Sequence, residues 1–537
     1  MGKILIIFAL IQNYNIFRIY PRDMLVKIRG AAVTGIDAIV VTVEVSVDNG
    51  ASFAMVGLPD AAVKESCERV RSAIKESGYT MPRRSIVVNM APADVRKEGA
   101  AYDLPIAVGI LAGSGQLTLP ADGTYMIMGE LSLDGSLLPI RGALPMAIRA
   151  RELGFKGMIL PAANAVEAAA VNRLEVYGAE NLGQVVRFLA GTEAMEPTVV
   201  DTREEFARSE NVFEDDFSDV CGQENVKRAF EVACAGGHNI LLVGPPGSGK
   251  SMMAKRLPTI MPRLSLAEAL ETTKIHSVAG KLRRGTSLMA TRPFRSPHHT
   301  ISPVALVGGG SNPKPGEISL AHNGILFMDE FPEFNRSVLE VLRQPLEDRV
   351  ITISRAKYSV DYPAGFMLVA SMNPCPCGYY THPTKACTCS PAAVQKYLGR
   401  ISGPLLDRID IQVEIQPVPF EQIAGRRGGE SSAEIRARVE AARAIQERRF
   451  ASEPGVHCNA RMNTRLIRQW VRLDAESTAL LEAIMRKHDM SARAYDRILK
   501  VARTIADLDG SPGVQACHIR EATSYRNLDR ASWGTVM

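Results

Sequence analysis

The octet Gly244, Pro245, Pro246, Gly247, Ser248, Gly249, Lys250 and Ser251 follows the apolar run NILLV and precedes the helical pattern MMAKRL. A strand that ends in a glycine-rich turn and reopens as a helix is the context a phosphate-binding loop requires. Glycines let backbone N–H groups turn inward around phosphate oxygens, and the positive end of the following helix favours the same anion. Lys250 is expected to reach the β- and γ-phosphates of ATP, and Ser251 to ligate magnesium. A glycine turn without nucleotide is the competing reading of the octet alone.

A magnesium-bound triphosphate also needs a carboxylate on a neighbouring strand, and GILFMDE supplies one by ending in Asp329 and Glu330. Asp329 is expected to contact the metal, directly or through water. Glu330 is then placed to polarise the attacking water as a general base, which makes the chain a hydrolase. An acidic pair at a strand end is by itself a solvated turn; behind a phosphate loop it reads as chemistry. The next apolar strand, GFMLVASMN, ends in Asn373, a polar residue emerging beside the expected γ-phosphate.

At 537 residues the chain is too long for one ordinary core, so two or three domains are expected. With 46% hydrophobic and 23% charged residues it has a globular composition and no collagenous or disordered signature. Lys and Arg (63) exceed Asp and Glu (58) only slightly, so overall charge neither demands nor excludes a polyanionic partner.

The chain reads as a multidomain α/β protein. Residues 24–190 alternate strand-like runs with helices such as AAVKESCERVRSAIKESG, an α/β domain; residues 191–219 collect acidic residues and read as a linker. Residues 220–416 repeat strand, turn and helix as a buried parallel sheet does, and residues 417–537 carry charged amphipathic helices, a helical lid. Lys3 and the apolar run Ile4 to Ile11 resemble a signal-peptide core, but no cleavage site follows. Met24 opens a strand-like segment, so residues 1–23 read as a non-native or disordered extension. No apolar run is long enough to span a bilayer.

Nine cysteines do not form a secreted disulfide pattern, and a reducing cytoplasmic setting is expected. Four of them, Cys375, Cys377, Cys387 and Cys389, make two CxC pairs, with His382 between as a spare ligand. Four thiolates close a tetrahedral zinc site, although the spacing departs from the usual CxxC knuckle; unliganded thiols and a redox pair remain alternatives.

Here the likeness to a known family becomes specific. Asn373, Arg408 in GPLLDRID and Arg493 in SARAYDRILK resemble the sensor 1, arginine finger and sensor 2 elements of AAA+ ATPases of the magnesium-chelatase branch. The resemblance implies that Asn373 orients the lytic water, that Arg408 reaches the γ-phosphate of a neighbouring subunit, and that Arg493 contacts nucleotide from the lid. A ring, expected to be a hexamer, follows from that likeness.

The run from Arg292 to Phe334 and VGLPDAAVKESCERVRSAIKESGY resemble the YifB/ComM family. That resemblance implies an ATP-driven motor on branched DNA, a branch-migration helicase of natural transformation. KEGAAYDLPIAVGIL and the segment Gly129 to Asn164 resemble the Lon protease-like fold, related to domain 2 of ribosomal protein S5. Aligned so, Ala101 stands where the nucleophilic serine would be and Leu144 where the activating lysine would be, which implies a scaffold without peptidase chemistry.

Two inserts are candidates for holding single-stranded or branched DNA. One contains Arg283, Arg284, Arg292, Arg295, His298 and His299; the other is the alternating strand VITISRAKYSV with Arg355, Lys357 and Tyr358. Solvated hairpins that pack subunits together are the alternative for both. A chelatase-type ATPase that remodels a protein partner, and an unfoldase or regulatory ATPase with an inactive Lon-like domain, are the rival functions.

Overall fold

The computed structural model describes residues 25–120, 124–202, 204, 206, 213–310, 313–355, 358–380, 382–418, 429–488 and 490–526. The expected extension, residues 1–23, lies outside the described residues. The chain forms two compact units, Met1–Thr202 with Gly280–Ser287, and Arg203–Ala279 with Leu288–Met537. Among the described residues no helix is long and apolar enough to cross a membrane.

In the first unit a mixed seven-stranded sheet runs in the order Phe53–Val56, Ser85–Ala91, Asp37–Asp48, Val26–Thr34, Tyr125–Ile127, Gly157–Pro161 and Glu175–Ala179. The strand Asp37–Asp48 buries Val41, Val43, Val45 and Val47 and leaves the residues between them partly open, so one face carries the core. The helix Asp103–Gly113 lies on that face. A Cβ at Gly109 would come within 2.5 Å of Val45 Cγ2 and one at Gly113 within 2.9 Å of Val47 Cγ2, so only glycine lets the helix approach this closely. Asp103 at its start is buried and accepts from Arg69 Nε at 2.7 Å; burial pushes its carboxyl up to about 6 against the pull of Arg69.

The second unit is built on a five-stranded sheet, all parallel, in the order Phe294–Arg295, Ile325–Met328, Met367–Met372, Ile240–Val243 and Ile411–Glu414. Three of these strands are buried along their whole length, as their unbroken apolar sequences require. The strand before the glycine-rich octet is not paired with the strand before Asp329. Met367–Met372 lies between them, which carries Asn373 to the middle of the site.

The expected lid does not stand apart. Its helix Ser432–Arg449, opened by a capping box between Ser431 and Glu434, packs on Glu224–Gly236 and Lys250–Ile260 and shares their core. The end of the stretch read as a linker is also core: Phe217 is fully buried and meets Phe230 edge-on at 6.1 Å. The strand expected over Val350 to Val360 instead folds back on itself, with Val350–Arg355 paired antiparallel to Tyr358–Pro363.

A buried polar cluster joins sheet and lid. Asp410, 1% exposed, accepts from Arg497 Nη1 at 2.7 Å and from His238 Nδ1 at 3.2 Å, while His238 Nε2 lies 2.8 Å from Thr504 Oγ1. Burial opposes ionisation of Asp410, but Arg497 and His238 hold its carboxyl well below the usual carboxylate range. Removing one partner of such a pair strands the other charge. Asp410→Ala is therefore expected to cost about 3–5 kcal/mol in urea unfolding of the second unit, and a loss below about 1 kcal/mol would count against this cluster as the joint.

Candidate active site

The octet runs off the strand Ile240–Val243 and leads into the helix Lys250–Ile260. Gly247 and Gly249 adopt φ of +78° and +86°, and no atom would meet a Cβ at Gly247, so the loop stays open on that side. Gly244 is held for space: a Cβ there would come within 2.7 Å of the Ile415 carbonyl oxygen.

Lys250 Nζ donates to the carbonyl oxygens of Gly244 at 2.7 Å and Pro245 at 2.9 Å, and to Asn373 Oδ1 at 3.2 Å. Burial lowers the Lys250 pKa, and the nearby Asp329 and Glu330 oppose the shift. Ser251 Oγ donates to Asp329 Oδ2 at 2.6 Å, and Ser371 Oγ donates to Asp329 Oδ1. Five of the residues expected to act on ATP, namely Lys250, Ser251, Asp329, Glu330 and Asn373, thus meet at the ends of three adjacent strands.

The arrangement fits ATP and magnesium on two counts. The hydroxyl of Ser248 is buried in the loop without a hydrogen-bond partner among the described residues, a donor left free for a phosphate oxygen. Ser251 and Asp329 place a hydroxyl and a carboxylate oxygen side by side, the hard oxygen ligands magnesium prefers. Magnesium held by Ser251 and Asp329 would supply positive charge that offsets the charge of the triphosphate.

Glu330 sits in the left-handed region at φ +53°, a turn that lifts its half-exposed carboxylate off the strand end. His299 Nδ1 lies 3.3 Å from its Oε2. His299, expected in an insert that holds DNA, thus lies against Glu330. Ser371 was missed too, although a lone hydroxyl in the apolar strand MLVASM was its signal.

Arg408 and Arg493 are not brought to this loop. Arg408 lies shortly before the strand Ile411–Glu414, its carbonyl accepting from Asn239 Nδ2 at 3.0 Å, and its guanidinium donates to Pro404 O at 2.7 Å and to Glu347. Arg493 Nη1 lies 3.5 Å from Asp407 Oδ2. Both stand at the end of the parallel sheet where strands begin, whereas the octet lies where they finish. Arg493 does not face its own chain's loop, because the helix Ala492–Leu508 is tied by Arg497 to the start of the strand.

Two arginines of the first insert are engaged within the fold. Arg292 donates to the carbonyls of Pro262, Asn323 and Arg263 and to Glu268, Arg295 pairs with Glu317 through two bonds of 2.6 and 2.7 Å, and Arg283 and Arg284 fall in a segment grouped with the first unit. The guanidiniums of Arg292 and Arg295 hold loops together. Of the second insert, Lys357 and the side chains of Arg355 and Tyr358 lie outside the described residues.

Cys375, Cys377, Cys387 and Cys389 bring four Sγ atoms within 4.8 Å of one another. Three separations are 3.3, 3.5 and 3.7 Å, close to the roughly 3.8 Å edge of a tetrahedron with 2.3 Å zinc–sulfur bonds. Backbone N–H groups of Tyr380 and Cys377 point at Cys375 and Cys389 Sγ at 3.3 and 3.4 Å. The set fits a closed Cys₄ zinc site. His382 is not part of it, because its Nδ1 accepts from Thr384 and Lys385 N–H groups. The cluster lies on the phosphate loop itself: a Cβ at Gly378 would come within 2.5 Å of Pro246 Cδ, and Pro374 and Tyr380 share a cleft with Gly244 and Pro245.

Comparison with known proteins agrees with this geometry. Residues 216–423 match the family model "Magnesium chelatase, subunit ChlI", residues 43–164 "Subunit ChlI of Mg-chelatase", and residues 429–526 "Magnesium chelatase, subunit ChlI C-terminal". The Escherichia coli (strain K12) protein YifB is 45% identical over 93% of this chain and 96% of its own length. Competence protein ComM of Haemophilus influenzae is 43% identical over 92% of this chain and 96% of its own length. The chain belongs to the YifB/ComM family. As a YifB/ComM protein it is a magnesium-chelatase-like AAA+ ATPase, and the sheet order, with the Asn373 strand between the octet strand and the Asp329 strand, is the frame of its site. Lon protease 2 of Bacillus subtilis is 31% identical over 28% of this chain, consistent with a Lon-like first unit in the YifB/ComM architecture.

Lys250→Ala is expected to weaken ATP binding at least about tenfold. Asn373→Ala should keep ATP binding and lower hydrolysis about a hundredfold. Equilibrium titration with a fluorescent ATP analogue and phosphate-release rates read the two; wild-type affinity in Lys250→Ala would contradict the assignment.

Proposed function

We propose that the chain is an ATP-hydrolysing ring motor that acts on DNA, driving branch migration of recombination intermediates in the cytoplasm during natural transformation. The observation that carries this is the division of the site. Lys250, Ser251, Asp329, Glu330 and Asn373 meet at one end of the sheet, and Arg408 and Arg493 stand at the other. A head-to-tail ring, taken as a hexamer, would set the arginines of one subunit against the nucleotide of the next. A guanidinium there would stabilise charge on the transferred phosphoryl group. Lys250 and the loop amides bind and orient the triphosphate, Glu330 takes the proton of the attacking water, and Asn373 holds that water in line.

The DNA part rests on the kinship with competence protein ComM, and Arg355, Lys357 and Tyr358 are the proposed contacts. The first unit is read as a scaffold: Leu144 is fully buried, and neither it nor Ala101 can supply a nucleophile or a base. The three magnesium-chelatase matches favour one second reading, an ATPase that remodels a protein partner.

ATPase rates without DNA, with single strands and with a four-way junction separate the two. The DNA motor is stimulated by DNA, most by the junction, and exchanges strands in an ATP-dependent way. Absence of both effects would overturn it, and stimulation by a protein subunit alone would favour the second reading.

Zinc at Cys375, Cys377, Cys387 and Cys389 is proposed to stiffen the loop that follows Asn373. Protein purified without chelator should carry about one zinc per chain, and Cys387→Ser less than about half of one together with weaker ATP binding. Metal-free wild type would rule the site out.

A further inference from the structure

At the end of the sheet where strands begin, a cavity of about 60 Å³ opens in the second unit, where Gly237, Gly324 and Gly365 lead into three strands. One water needs roughly 10–15 Å³ of such space, so there is room for several waters or a tetrahedral oxyanion. Its wall carries four arginines, Arg292, Arg349, Arg443 and Arg461, and one carboxylate, Glu268.

The charges do not balance. Glu268 is taken by Arg292, whose Nη1 and Nη2 lie 3.3 and 3.2 Å from its two oxygens. Arg349 donates to the Phe366 carbonyl at 2.6 Å, Arg443 to the Cys234 and His457 carbonyls at 2.9 and 3.4 Å, and Arg461 to the Gly455 carbonyl at 3.3 Å. Carbonyls satisfy N–H groups but carry no charge. Asp410, whose charge acts on Arg349, is bound by Arg497. The Nε of Arg443 is buried without a hydrogen-bond partner among the described residues.

Cys458 reports the resulting field. Burial alone would raise its thiol, yet the guanidiniums of Arg443, Arg461 and Arg349 hold it below its ordinary value. Guanidiniums stay protonated, and gathering them in a partly desolvated cavity is costly unless an anion joins them. Their planar forks suit phosphate oxygens, which accept two N–H groups from each arginine.

We propose that this cavity binds a phosphate group, at the end of the sheet opposite the ATP loop, through Arg349, Arg443 and Arg461. The group is either free inorganic phosphate or a phosphate of a nucleic-acid backbone; the chemistry of capture is the same.

The test uses the full chain carrying Lys250→Ala, which removes phosphate affinity at the nucleotide loop, and compares thermal unfolding in phosphate and in chloride at matched ionic strength. Phosphate is expected to raise the midpoint by about 3 °C over chloride, and Arg461→Gln and Arg443→Gln in that background should abolish the gain. Oligothymidylate titration assigns the source: affinity that falls with Arg461→Gln points to a DNA backbone, unchanged affinity to free phosphate. Should the arginine variants fail to fold, iodoacetamide labelling of Cys458 in the Lys250→Ala chain replaces them, with phosphate expected to slow it about threefold. A phosphate shift no larger than chloride, a shift kept by both arginine variants, or unprotected Cys458 in that fallback would overturn the proposal.

Discussion

One carboxylate holds the nucleotide end of the second unit in register. Asp329 accepts from Ser251 at the start of the loop helix and from Ser371 near the end of the adjacent strand, so three segments far apart in sequence are fixed on one side chain. Charge-assisted hydrogen bonds of this kind are stronger than neutral ones, and they set positions to within the tolerance that phosphoryl chemistry needs. The hydroxyl and carboxylate sit side by side where a magnesium ion would find both.

From that point the structure extends in two directions. Lys250 reaches Asn373, and the chain after Asn373 enters the four-cysteine loop, which returns to lie on Pro246 of the same phosphate loop. The loop is thus flanked on one side by the strand ends of its own sheet and on the other by a cysteine-rich brace. In the opposite direction the strands run back to Arg408, Arg493 and the Asp410 cluster that joins sheet to lid. A movement of the lid would be felt at the arginine end through Arg497, and the proposed ring would pass it to the next subunit's ATP.

What was legible in the sequence is what depends on neighbours in the chain. The octet, the acidic strand end at Asp329 and Glu330, and Asn373 each carry a strand pattern beside a polar residue, and the structure brings them together. The lid helices were visible from their spacing. Arg292 was misread because a donor-rich stretch looks solvated until the fold supplies carbonyls around it. The place of Arg493 was hidden because it depends on how the helix Ala492–Leu508 docks, through contacts such as Arg497 to Asp410, 87 residues apart. The sequence from Val350 to Val360 contains no glycine, proline or asparagine, so it read as one strand, whereas Val350–Arg355 pairs antiparallel with Tyr358–Pro363. His299 beside Glu330 is a meeting of two loops that no local pattern announces.

The central claim is that the active site is divided between the two ends of the sheet and completed by a neighbour. The most direct measurement mixes two variants, Arg408→Ala, which keeps its nucleotide end, and Glu330→Gln, which keeps its arginine end, and follows ATP hydrolysis. Each alone should be nearly inactive, with the arginine loss worth about a thousandfold. In an equal mixture about a quarter of the interfaces pair an intact nucleotide end with an intact arginine, and hydrolysis should return in proportion. A mixture no more active than its components would contradict a site shared between subunits.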